Sequence, residues 1–123
     1  MVRRGDVYYA RIETGVGSEQ KKNRPVLVIQ NDCGNLHSAT TIVAMITSKP
    51  KRRLPTHVKL RGNKMGLAPK STVMLEQIQT FDKSRLIRPM GHLNKRVMKK
   101  VDRALARSLG IHRKQGVDEI CTT

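Results

Sequence analysis

Apolar residues in the first ninety positions fall in short runs separated by turn-forming residues, a pattern that predicts strands rather than helices. Residues 7–12 carry Tyr8, Tyr9 and two β-branched residues after an Arg-Gly-Asp entry. Residues 25–29 are almost continuously apolar, as expected of a strand covered on both faces. Residues 40–46 form a third run, rich in β-branched side chains. Residues 56–60 alternate and suit an edge strand, with Pro50 and Pro55 as breakers ahead of them. Residues 73–78 make a fifth run. Glycines at 15, 17, 34, 62, 66 and 91 lie between these runs, where turns favour them.

The last third changes period. Leu93, Val97, Val101, Ala104, Leu105 and Leu109 recur mostly at spacings of three and four, which marks one face of a helix. Asn94 is placed to cap it and Gly110 to stop it. Lys95, Arg96, Lys99, Lys100, Arg103 and Arg107 occupy the other faces, as a solvated surface or as a binding one. Neither a repeat nor a Pro/Gly/Ser linker divides the chain, so one domain is expected over 1–111, with a frayed tail at 112–123. Several short strands and one terminal helix predict a mainly β fold, a small closed or nearly closed antiparallel barrel. Curling the sheet buries its apolar side and removes exposed edges, and the helix then caps one opening.

Charge narrows the partners. Twenty-five Lys and Arg face nine Asp and Glu, a formal charge of +16 on 123 residues. A field of this sign attracts polyanions, nucleic acid first among them, then an anionic membrane surface or an acidic protein. No apolar run approaches the roughly 20 residues of a membrane span, and the N-terminus lacks the apolar stretch of a secretory signal. Cys33 and Cys121 form neither a metal-ligand spacing nor a disulfide framework, so a reducing cytoplasm is the simplest setting.

Three polar groups are placed to carry chemistry. The first is the loop 17–25, which ends in Arg24 ahead of a buried strand. Pro25 restricts Arg24 to an extended backbone, so the guanidinium leaves a fixed base with donors shaped for a phosphate. The second is Thr47-Ser48 after the third run, where a hydroxyl can donate to a phosphate oxygen or satisfy a turn. The third is Glu76-Gln77 inside an apolar strand, where alternation turns one of the two inward or under a loop. The histidines at 37, 57, 92 and 112 show no ligand pairing and are expected at the surface; Asp32 and Glu13 are expected in loops. Tyr8, Tyr9 and Phe81 are too few for a base-stacking platform.

The order of these segments resembles the MazF/PemK family. It includes Arg4-Gly5-Asp6-Val7-Tyr8, Gly17-Ser18-Glu19-Gln20, Arg24-Pro25-Val26-Leu27-Val28-Ile29-Gln30-Asn31-Asp32 and Ile46-Thr47. Leu54-Pro55-Thr56-His57-Val58, Leu75-Glu76-Gln77-Ile78, Asp82-Lys83-Ser84-Arg85-Leu86 and Ser108-Leu109-Gly110 continue it. The resemblance implies an SH3-like barrel with a C-terminal helix, acting as a homodimer. It implies a metal-independent endoribonuclease that cuts single-stranded RNA, leaves a 2′,3′-cyclic phosphate and a 5′-hydroxyl, needs no cofactor, and is inhibited by an acidic antitoxin. Carried onto this chain, it makes Arg24 and Thr47 catalytic and Glu19 the candidate base, with Glu76 behind it. Ser18, Gln20, Glu76 and Gln77 then contact RNA. Two other classes stay open on sequence alone. One is a gyrase poison of the same fold, a branch marked by a C-terminal Trp-Gly-Ile that this Trp-free chain lacks. The other is a non-catalytic basic RNA-binding module.

Overall fold

The computed structural model describes residues 1–13 and 21–111. Strands β1 (Asp6–Glu13) and β2 (Lys21–Val28) precede a short helix, α1 (Asp32–His37). Strands β3 (Thr40–Thr47), β4 (His57–Lys59), β5 (Thr72–Asp82) and β6 (Leu86–His92) follow, and α2 (Lys95–Leu109) ends the described fold. A turn of 3-10 helix, Lys83–Arg85, joins β5 to β6. Each pairing is antiparallel, and the order across the sheet is β4-β5-β3-β2-β1-β6.

That order forces the sheet to curl. β5 and β6 stand four inter-strand steps apart, roughly 19 Å across a flat sheet at about 4.8 Å per step. The connection from Asp82 to Leu86 spans at most about 14 Å fully extended, and here it is wound into a helical turn. The ends of β5 and β6 therefore approach each other around a core of Ala10, Ile12, Val26, Val28, Val43, Met45 and Phe81. No ladder joins β5 or β4 to β6 among the described residues. The expected mainly β chain with a C-terminal helix is present, and of the closed or nearly closed barrel expected, the sheet is the unclosed form.

The opposite face carries a second core. Val7, Leu27, Ala44, Ile46, Val58, Val73 and Leu75 meet Val101 and Ala104 of α2 there. Residues 26–28 are fully buried because they alternate between the two cores, which accounts for their unbroken apolar run. α2 thus covers a sheet face rather than a barrel mouth. The Asn94 side chain accepts the Val97 N–H at 2.9 Å, and Gly110 closes the helix in the left-handed region at φ 71°. Asn94→Ala is expected to cost about 1 kcal/mol, read from the urea midpoint at unchanged slope.

The Arg-Gly-Asp entry is architectural. Arg4 donates through Nε to the Ile29 carbonyl at 2.8 Å and pairs with Asp102 of α2 at 2.7 Å. Asp6 accepts the Arg3 N–H and bonds His92 Nδ1 of β6. Between them Gly5 has φ +98°, and a Cβ there would meet the His92 ring at 3.0 Å, so glycine is required on both counts. Asp32 is not the loop acid expected. It opens α1 and accepts the Arg4 N–H, which holds its carboxyl below the ordinary range despite a burial penalty.

Candidate active site

β2 and β3 carry the two residues singled out for phosphate chemistry. Their ladder pairs Val28 with Val43, Leu27 with Ala44 and Val26 with Met45. The ladder ends at Val26 and Met45; continued two residues further along each strand, its register would bring Arg24 opposite Thr47. Val26, Val28, Val43 and Met45 all enter the inner core, and side chains alternate faces with period two. Arg24 and Thr47 therefore belong to that same face, at the end of the sheet. Arg24 is exposed and Thr47 half-buried. Neither rests on a loop: Arg24 pairs with Ala10 of β1, and Thr47 pairs with Thr72 of β5. The stretch leading to Arg24 departs from the polar loop expected, since residues from Lys21 onward belong to β2. Thr47 Oγ1 accepts the Lys49 N–H at 3.1 Å, which orients the hydroxyl while its own proton can still be donated.

Glu76 and Gln77 are aimed by a bulge. Ala44 pairs with Ile78, yet the next residue, Met45, pairs with Met74. Leu75, Glu76 and Gln77 bow out of the ladder between those pairs. Leu75 fills the outer core, and both polar residues are exposed, so neither is turned inward, one of the two placements that alternation allowed. The bulge directs Glu76 towards β4. Its Oε1 accepts the Thr56 hydroxyl at 2.7 Å, and its Oε2 lies 3.0 Å from His57 Nε2. Burial raises the Glu76 carboxyl, but the hydrogen bonds from Thr56 and His57, with the charge of His57, outweigh it and hold it low. A carboxylate engaged by two donors is a poor proton acceptor.

His57 is the residue that sequence reasoning misplaced. Its side chain is 8 % exposed, and Nδ1 is buried with no hydrogen-bond partner among the described residues. Val58 faces the outer core, so its neighbour His57 turns to the other side of β4, onto Glu76. A lone histidine in an edge strand carries no periodic signal of that pairing. Ser18, Glu19 and Gln20 lie outside the described residues, as does the tail 112–123. Among the described residues no group of three or more His, Cys, Asp and Glu side chains forms a metal-sized cluster, and no helix is long and apolar enough to cross a membrane.

The Glu76 contacts give a pH dependence of known sign. The folded carboxyl titrates below the ordinary glutamate value of 4.5, so its stabilisation is full above that value and is lost as pH falls below it. Melting temperature should therefore hold from neutrality to about pH 5 and decline in more acid buffer. Glu76→Gln is expected to lower the neutral value and to flatten that decline; an unchanged pH profile would contradict the pairing.

A family model described as "PemK-like, MazF-like toxin of type II toxin-antitoxin system" matches residues 3–109. The chain belongs to this toxin family. It is 51% identical over 112 residues to the Endoribonuclease EndoA of Bacillus subtilis, covering 90% of this chain and 97% of that protein. It is 48% identical over 113 residues to the Endoribonuclease MazF of Staphylococcus saprophyticus, covering 91% and 94%. Its fold is similar to a mycobacterial endoribonuclease solved in complex with its cognate antitoxin. That likeness has a TM-score of 0.75 at 27% identity and covers 93% of this chain and 100% of that one. The family's fold extends to MazE–MazF of Deinococcus radiodurans, at TM-score 0.75 and 22% identity.

Proposed function

We propose that this MazF-type endoribonuclease cuts single-stranded RNA at specific sequences by 2′-hydroxyl attack, with Arg24 and Thr47 acting on one phosphate. The sheet face that alternation gives both residues, with a β2–β3 register that would set them opposite when extended, is what supports the reading. The ribose O2′ attacks the adjacent phosphorus, the O2′–P bond forms and the P–O5′ bond breaks. The 2′ proton is removed and the 5′-oxygen departs as a hydroxyl. This balance consumes no water and requires neither metal nor cofactor. Negative charge grows on the non-bridging oxygens, where Arg24 supplies a charged fork and Thr47 a single donor. Glu19 is assigned the base, since Glu76 is held by Thr56 and His57. Ser18, Gln20 and Gln77 contact RNA, and Glu76 shapes the rim beside them.

In this reading the protein works in the cytoplasm as a homodimer held inactive by an acidic antitoxin, which the +16 charge favours. Its folded unit is 1–111, with 112–123 a tail. The surface offered to a second copy is apolar: Ile42, Ile78, Leu105 and Leu109 line a depression of about 360 Å³, and Leu109 is 52% exposed.

The test is incubation of purified protein with RNA in EDTA, with both fragment ends mapped and DNA gyrase assayed alongside. Discrete fragments ending in 2′,3′-cyclic phosphate and 5′-hydroxyl are expected. Bound but intact RNA would indicate a binding module. Gyrase inhibition without cutting would indicate the gyrase-directed class, which the relatives named above do not favour.

A further inference from the structure

A groove of about 1280 Å³ runs between α2 and the stretch from Pro50 to Met65. Arg96, Lys100, Arg103 and Arg107 form its helical wall, and six more Lys and Arg between residues 51 and 64 line the facing side. No Asp or Glu lines it. We propose that this groove is a track for the RNA backbone on one side of the cleaved bond, outside the site that performs the cut. The proposal rests on the endoribonuclease reading above.

The cations sit where they weaken the fold. Like charges at spacings of three and four oppose helix formation. The first turn of α2 holds Lys95 and Arg96 and no acid, against the helix dipole. Arg107 lends some structure, donating to the Pro55 carbonyl across the groove at 3.4 Å. Arg96, Lys100 and Arg103 face a ligand-sized space instead. Residues that break local rules without a structural return mark a binding surface.

The ligand class follows from the spacing and the connection. From Arg96 to Arg107 the helix advances about 16 Å, with a cation at every turn, which suits a polymer bearing regularly repeated anions. The groove also reaches the strand end that carries Thr47. Thr72 lines it and pairs directly with Thr47, and Lys51 follows Thr47 by four residues. Among the described residues no Phe, Tyr or Trp lines it, and His57 and His92 are its only ring side chains besides Pro50 and Pro55, so the track grips phosphates more than it reads bases. The apolar surface assigned to a second copy uses Leu105 and Leu109, on the opposite side of α2 from Arg103, so a dimer leaves the groove open.

The experiment uses RNA blocked by a 2′-deoxy sugar at the mapped cut site, in a short form and in forms extended on either side. Binding is followed by fluorescence anisotropy across a salt series. Extension on one side is expected to tighten binding at least about tenfold and to steepen the salt dependence. The triple variant Arg96→Gln/Lys100→Gln/Arg103→Gln should erase that gain and lower the slope by about 2, at about 0.7 per phosphate contact on a single strand. Its cutting of unblocked short RNA, which ends before the groove, should match the parent. The charge-preserving Arg96→Lys/Arg103→Lys variant should keep both gain and slope, which separates charge from helix damage. A triple variant that retains the full gain overturns the proposal. So does one that loses only its grip on an acidic antitoxin peptide, since the groove then serves a protein. Parent protein that fails to cut even short RNA overturns the endoribonuclease reading itself, a distinct result.

Discussion

Arg24→Ala is expected to cut the rate constant for RNA cleavage about 10²–10³-fold, which is the usual loss on removing one preorganised donor to a developing oxyanion. Arg24 is exposed and contributes to neither core, so the melting temperature should scarcely move. Arg24→Lys should recover only part of the rate, because an ammonium supplies charge without the planar fork. Thr47→Val should lose activity on a similar scale, while Thr47→Ser, which keeps the hydroxyl, should stay within about tenfold of the parent. Single-turnover kinetics on a defined RNA reads these losses directly. A folded Arg24→Ala protein cutting within about threefold of the parent would contradict the assignment, since such a donor is worth far more.

Phe81→Ala is expected to destabilise the protein by about 3–5 kcal/mol. Phe81 is fully buried at the centre of the inner core, and the Arg85 guanidinium lies 3.8 Å from its ring centroid. The curl of the sheet surrounds this side chain, so the site collapses poorly when it is removed. Against a typical total of about 5–15 kcal/mol, the variant should melt roughly 10–20 °C lower and bind hydrophobic dye. Val26 and Met45, each two residues from a candidate catalytic position, pack in the same core. Cleavage should therefore fail in step with unfolding. Arg85→Ala removes the covering cation and its hydrogen bond to the Arg11 carbonyl, and should cost about 1–2 kcal/mol.

The strands were legible where burial imposed a period. Residues 25–29 and 40–46 are apolar because both faces of β2 and β3 are covered, and α2 declares itself by one stripe facing the outer core. β6 left no such trace. It is an edge strand with Arg88, Pro89 and Ile87 exposed, so nothing constrains its residues to alternate. α1 spans six residues with Gly34 inside it and is set by the Asn31 cap rather than by an apolar face. Arg24 and Thr47 could be picked out by their places beside buried strands. Their proposed juxtaposition could not, because it depends on extending the β2–β3 register, which is long-range. The Glu76–His57 pair was hidden for the same reason: a three-residue bulge re-aims Glu76, and no local pattern encodes it. Of the closed or nearly closed barrel expected, the sheet is not closed: the 3-10 turn draws β5 and β6 together without pairing them.

A kinetic double-mutant cycle on Arg24 and Thr47 asks most directly whether both side chains serve one phosphate. Groups that act as a unit are strongly non-additive. The Arg24→Ala/Thr47→Val protein should cut RNA no more than about tenfold more slowly than the worse single variant. Losses that multiply in full, as for two independent sites, would contradict a shared scissile phosphate.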